Sequence, residues 1–164
     1  MTNAAFDSGK FRTVLGHFLS GVTVVTAIDP ETKRPVGMAV GSFTSVSLDP
    51  PLVAFLPGRT ASAWAAIKAS GSFCVNMLAV DQESVSRVFS SKAEDRFEGL
   101  GWAPTSHSSS PRLEGALAWI DCEIDAIHEA GDHLIVIGAV KGLDVSGEGG
   151  PLAYYRGGYG RFEQ

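Results

Sequence analysis

Cysteine is scarce in this chain: Cys74 and Cys122 stand far apart in 164 residues and outside any CxxC pattern. That spacing disfavours both a secreted disulfide framework and a zinc finger. The histidines, His17, His107, His128 and His133, form no HxxxH set and no Cys–His pair with ligand spacing, so no metal is expected. Basic surplus is lacking too, with 13 Lys+Arg against 18 Asp+Glu and a net charge of -5. A chain so balanced has no overall drive toward a nucleic-acid backbone or an anionic membrane, although a local patch still suffices for one phosphate. No apolar run approaches the ~18–20 residues that span a bilayer, and residues 1–10 are polar, without the apolar stretch of a signal peptide. A GxSxG elbow is absent. Gly157-Gly158-Tyr159-Gly160 lies at the end of the chain with no helix after it, which excludes a dinucleotide fingerprint. The expectation is a soluble cytoplasmic protein with no nucleic-acid or membrane partner.

Apolar content is ample. Hydrophobic residues make up 45% and charged residues 19%, the balance of a globular chain. Residues 1–164 read as a single domain, long enough to bury a core without staples. Nineteen glycines suggest many turns or close backbone approaches. Residues 7–20 carry Phe11, Val14, Leu15, Phe18 and Leu19 at helical spacing, with Ser8 as the expected N-cap and Gly21 as the stop. The period then changes to strands over 22–28 and 36–47, broken by Asp49-Pro50-Pro51, and again over 52–56. A helix is expected over 60–69, a strand over 72–78, and a second short helix from a cap at Asp81 to Phe89, with Val85, Val88 and Phe89 inward. Residues 91–112 look irregular, with an exposed loop over 107–111. Extended segments over 113–127 and 133–143 flank a hairpin turn at Gly131-Asp132. Six or seven strands without regular intervening helices predict a mainly β, antiparallel barrel with peripheral helices rather than a doubly wound sheet.

Three segments carry possible chemistry. Small and hydroxylated residues from Gly41 to Ser47 let a flat ligand approach the backbone, or simply mark a half-exposed strand with its hydroxyls outward. Arg59, Thr60 and Ser62 lead into the expected helix, where free N–H groups and a guanidinium suit an anion, or where they only cap the helix. His133 follows Gly131-Asp132 at a turn, as a general acid, a cofactor contact, or an ordinary strand start.

In their order and spacing, these segments resemble the short-chain flavin reductases of the FMN-binding split-barrel group. The resemblance runs over residues 10–162. It is carried by Gly21-Val22-Thr23-Val24-Val25-Thr26, Ser42-Phe43-Thr44-Ser45-Val46-Ser47-Leu48-Asp49-Pro50-Pro51, Phe73-Cys74-Val75-Asn76-Met77-Leu78, Gly131-Asp132-His133 and Arg156-Gly157-Gly158-Tyr159. It implies a homodimeric split barrel that binds FMN or FAD, uses NADH or NADPH as hydride donor, and supplies reduced flavin to a partner monooxygenase. Met38, Ala39, Val40, Gly41, Ser42, Ser45, Ser47 and Leu56 would line the flavin. Arg59, Thr60 and Ser62 would hold its phosphate, Phe89 would close over it, and Asp132, Arg156 and Tyr159 would lie near the pocket. His133 would be the catalytic histidine beside the nicotinamide. Many relatives read Thr-Ala-Asn-Ser where this chain has Ala39-Val40-Gly41-Ser42, which leaves the choice of flavin open. The same barrel also suits a flavin-binding module without turnover, or a reductase of another acceptor such as ferric iron.

Overall fold

A computed structural model describes residues 7–162; the polar stretch before residue 7 lies outside them. Asp7, not Ser8, caps the first helix, α1 (Ser8–Leu15), accepting from the N–H groups of Gly9 and Lys10. The helix stops at Gly16, well short of residue 20, because the chain turns there to form β1 (Ser20–Gly21), which pairs with β11 (Leu152–Tyr155) near the C-terminus. None of the residues in α1 is buried, so its apolar stripe has no core beneath it.

The main sheet has the order β3-β2-β6-β9-β10-β5-β4, every pair antiparallel. Its strands are β2 (Thr23–Ile28), β3 (Pro35–Val40), β4 (Thr44–Leu48), β5 (Pro51–Phe55), β6 (Ser72–Met77), β9 (Ala118–Ala130) and β10 (His133–Val145). The extended segment expected over 36–47 is therefore two strands. Gly41, Ser42 and Phe43 break it, and the halves occupy opposite edges of the sheet. A sheet whose edges lie three residues apart in sequence must curl on itself, which makes a barrel with an open seam between β3 and β4.

β2 is buried on both faces from Thr23 to Ala27, the two threonines included. Val25 turns into the barrel with Phe55, Phe73, Val75 and Val136, closed by Trp64 and Ile67 of α2 (Trp64–Ser70). Val24 turns outward to a second cluster with Leu78, Phe89, Phe97, Leu113 and Leu152. Burying each such large side chain stabilises the fold by about 1.5–3 kcal/mol.

Several boundaries differ from expectation for local reasons. Residues 60–62 are not helical: Arg59 N donates to the carbonyl of Asp132, and Leu134 N to that of Pro57, tying the segment to β10 before α2 begins. Asp81 does not cap α3 (Glu83–Phe89). Gln82 sits there, its amide accepting from Ala79 N and donating to the carbonyl of Glu114. Phe89 is buried, but Val88 is exposed rather than inward. The stretch over 91–112 contains a small hairpin of β7 (Trp102–Pro104) and β8 (Pro111–Leu113). Its loop is anchored rather than free: the buried Asp121 carboxylate accepts from the N–H groups of His107 and Ser108 and from the Ser108 hydroxyl. At the C-terminus β11 pairs with β12 (Gly158–Arg161). No helix among the described residues is long and apolar enough to cross a membrane.

Candidate functional site

The open seam holds a cleft of about 770 Å³, within the usual range for small-molecule and cofactor sites. The end of β3 and the break after it, Met38 to Ser42, form one wall, and Leu56, Pro57 and Gly58 after β5 form the other. The Ser42 hydroxyl ties the walls together, accepting from Leu56 N at 3.0 Å and donating to the Leu56 carbonyl at 3.3 Å. Phe89 and Ser90 at the end of α3, Phe11 and Leu15 of α1, and His133 complete the rim. Phe89 packs this close to β3 only because residue 37 is glycine: a Cβ there would sit 2.8 Å from the Phe89 ring.

His133 is positioned by its turn. Gly131 takes the first place of a two-residue hairpin loop with φ of 64°, where a side chain would be strained. The His133 ring lies with Nδ1 2.8 Å from an Asp132 carboxylate oxygen. That hydrogen bond, followed by the charge of His133, holds the Asp132 carboxyl below its ordinary value. With Nδ1 as donor, Nε2 is the atom left to meet a ligand.

Arg59 does not line this cleft. Its Nε donates to the carbonyl of Gly131 at 2.7 Å, and its guanidinium pairs with both carboxylate oxygens of Glu129. It braces the turn that carries His133. Thr60 faces a neighbouring cavity, while Ser62 lines both. Ser45 and Ser47 lie along β4, outside the cleft lining. Arg156 stands in the turn between β11 and β12 beside Arg12 and His17. Tyr159 packs in the outer cluster, its hydroxyl 2.9 Å from that of Ser86 and its ring under Arg87. The structure thus gathers Met38, Ala39, Val40, Gly41, Ser42, Leu56, Ser62, Phe89 and His133 in one cleft, with Asp132 behind His133. Arg59, Thr60, Ser45, Ser47, Arg156 and Tyr159 fall outside its lining.

The cation that does line the cleft is Arg96, which the sequence reading missed. Its guanidinium donates to the Gly37 carbonyl at 2.8 Å, the Ser62 hydroxyl at 2.9 Å and the Ser91 carbonyl at 2.7 Å. All three acceptors are neutral, and no carboxylate pairs with Arg96 among the described residues. Its Nε is buried without a partner. A half-buried guanidinium lacking a counter-ion attracts an anion into the cleft. Two of its acceptors lie 59 and 34 residues away along the chain, so no local pattern could mark it.

The cleft joins apolar walls to the Arg96 guanidinium, which has no carboxylate partner among the described residues, and to the imidazole of His133, a combination with the chemistry to take an anionic ligand that has an apolar body. The chain belongs to the family described as the Flavin reductase like domain, which matches residues 15–163. A flavin reductase of Pseudomonas putida is 52% identical over 162 residues, covering 99% of this chain and 94% of that one. Among solved structures, a nitrilotriacetate monooxygenase component B homologue from Mycobacterium thermoresistibile superposes with a TM-score of 0.92 at 45% identity, over 97% of this chain and 88% of that one. The NADH:FAD oxidoreductase SgcE6 of Streptomyces globisporus, in complex with NAD and FAD fragments, matches with a TM-score of 0.89 at 35% identity, over 96% and 93%.

Proposed function

We propose that this chain is an NAD(P)H-dependent flavin reductase that supplies reduced flavin to a partner monooxygenase. The observation that carries this reading is the seam cleft, where Arg96 offers an unpaired charge at one end and His133 an oriented ring at the rim. The flavin reductase and monooxygenase-component relatives support it. When bound, the flavin would supply the two-electron chemistry that links the nicotinamide to the partner. The protein supplies geometry and a dry, shaped site. Met38, Val40 and Leu56 offer apolar contact to a flat ring, and Phe89 shields it from solvent. Arg96 and Ser62 hold the phosphate. His133, steadied by Asp132 and by the Arg59 brace, orients the second substrate and holds or passes a proton at Nε2.

The working form is a homodimer. Val14, Leu15, Phe18 and Leu19 are each more than half exposed, and an exposed apolar patch of that kind supports an interface with a second copy of the chain. The cytoplasm is its place, where reduced nicotinamide is available and thiols such as Cys74 and Cys122 stay free.

NADH and NADPH oxidation by the purified chain, without flavin and with FMN or FAD, tests the reading. Flavin-dependent turnover is expected. Flavin binding without turnover would leave a binding module, and no binding would remove the flavin reading. Light scattering of the same sample should give twice the chain mass; the mass of one chain would exclude the dimer.

A further inference from the structure

The end of α1 and the small C-terminal sheet form a face that the seam cleft does not use. Arg12, Thr13, Gly16 and His17 on one side, with Arg156 and Gly157 of the β11–β12 turn on the other, surround a hollow of about 350 Å³. α1 is the wall between this hollow and the seam cleft, since Phe11 and Leu15 line the cleft. The His17 ring donates from Nδ1 to the Thr13 carbonyl at 2.8 Å and meets Tyr155 edge-on. Beyond Tyr155 the face continues as a groove of about 430 Å³, bordered by Leu19 and Arg161. Ala153, Tyr155, Gly158 and Gly160 share one side of the sheet there. A Cβ at Gly160 would meet nothing within 4 Å, so the floor of the groove is open. The charge of this face is one-sided. In a chain with 13 Lys+Arg and 18 Asp+Glu, the two linings hold Arg12, Arg156, Arg161 and His17 and no aspartate or glutamate. No ion pair holds any of the three arginines among the described residues. After the hydrogen bond and charge of His133, Arg12 helps to hold the Asp132 carboxyl below its ordinary value, but that carboxylate is bonded to His133 instead.

We propose that this face docks an acidic segment of the partner monooxygenase, one that also presents an aromatic or large aliphatic side chain to the groove. The inference rests on the flavin reductase reading, which requires such a partner. The segment's carboxylates meet Arg12, Arg156 and Arg161, whose forks suit them, and its apolar side chain lies on the open floor beside Leu19 and Tyr155. A second copy of this chain fits the face less well. An isologous contact sets one patch against itself, so it would bring these arginines against each other. A small free anion also fits less well, because Arg12, His17 and Arg156 are all exposed and would hold it in water, where each ion pair is weak. A segment laid across the hollow and the groove answers all three charges at once and covers the apolar floor. With α1 as the shared wall, it stands beside the cleft from which reduced flavin leaves.

Fluorescence anisotropy of a labelled Glu-Glu-Phe-Glu-Glu peptide with the full chain tests this, with NADH oxidation in the presence of free flavin run on the same sample. Glutamine in place of the four glutamates should weaken binding by about tenfold or more, and alanine in place of the phenylalanine by about threefold. Arg156→Asn, which keeps a residue suited to the φ of 49° at that turn, should weaken it by about fivefold. Adding Arg161→Gln should bring the loss to about twentyfold. Lys68→Gln, at the end of α2 and outside both linings, should change it by less than about twofold. Equal binding by the parent chain and the double variant would overturn the proposal. Inorganic pyrophosphate that binds as tightly as the peptide would make the face a small-anion site, and a chain mass that halves in the double variant would give it to a second copy; either result overturns the proposal as well. If NADH oxidation shows no dependence on flavin, the reductase reading itself falls and takes the partner with it, an outcome distinct from a working reductase that ignores the peptide.

Discussion

The loop before α2 and the loop after α3 each bring an arginine toward the seam, and they differ in what meets the charge. Arg59 reaches a carboxylate, Glu129, and the Gly131 carbonyl. Arg96 reaches only neutral acceptors and keeps one buried N–H unpartnered. The first charge is already answered within the chain, so it stiffens a turn. The second is held in place but not neutralised, so it remains available to a ligand. On the proposed reading, the phosphate site is located less by where a cation stands in the sequence than by whether the fold leaves that cation without a counter-charge.

The largest effect that would break this contrast lies at Arg96. A hydrogen bond to a charged group is worth about 1.5–3 kcal/mol, so Arg96→Ala should weaken flavin binding by about tenfold to a hundredfold. Lysine at the same position should recover part of the loss, since it restores the charge but not the fork that reaches Gly37 and Ser62 together. Fluorescence titration reads the affinity, and circular dichroism confirms that the barrel persists. An unchanged affinity would place the phosphate elsewhere.

The barrel was legible from the sequence because its strands announce themselves. The β-branched run of β2, the Asp-Pro-Pro break and the Gly-Asp turn each impose a local geometry that tertiary contacts only reinforce. The curl was not legible. Nothing within 36–47 says that its halves belong to opposite edges, since closure depends on strands far along the chain. Of the cleft, Met38 to Ser42 and His133 were found because small residues and a turn histidine are local signals. The Arg59-Thr60-Ser62 reading assumed a helix start that the pairing of this segment with β10 prevents. Arg96 was invisible because its role is made by the Gly37 carbonyl, exposed toward it where Phe89 lies over a glycine.

The rim offers an intermediate effect that sharpens the same contrast. His133 and Arg96 serve different ligands in this reading, so their variants should separate. His133→Ala should raise the KM for NADH by about tenfold, near the upper end of a lost hydrogen bond, while flavin affinity moves little. Steady-state kinetics at saturating flavin, paired with flavin titration, measures both quantities. A loss of flavin affinity matching that of Arg96→Ala would merge the two roles and remove His133 from the nicotinamide side.

The smallest effect belongs to Arg59, and it is the most discriminating. The Arg59–Glu129 pair is partly exposed, and such pairs contribute about 0.2–1 kcal/mol. Arg59→Ala should therefore change flavin affinity by less than about twofold, and raise the KM for NADH by no more than about fivefold through a looser Gly131–His133 turn. Added salt should shrink that difference, because screening already weakens an exposed pair in the parent chain. Glu129→Gln should reproduce the same small change, since it breaks the brace from the other side and carries no charge that a phosphate would want. If Arg59→Ala alone lowered flavin affinity tenfold while Glu129→Gln raised it, Arg59 would be leaving its carboxylate to take the phosphate. The two loops would then share one task, and an internal counter-ion would no longer distinguish a brace from a binding site.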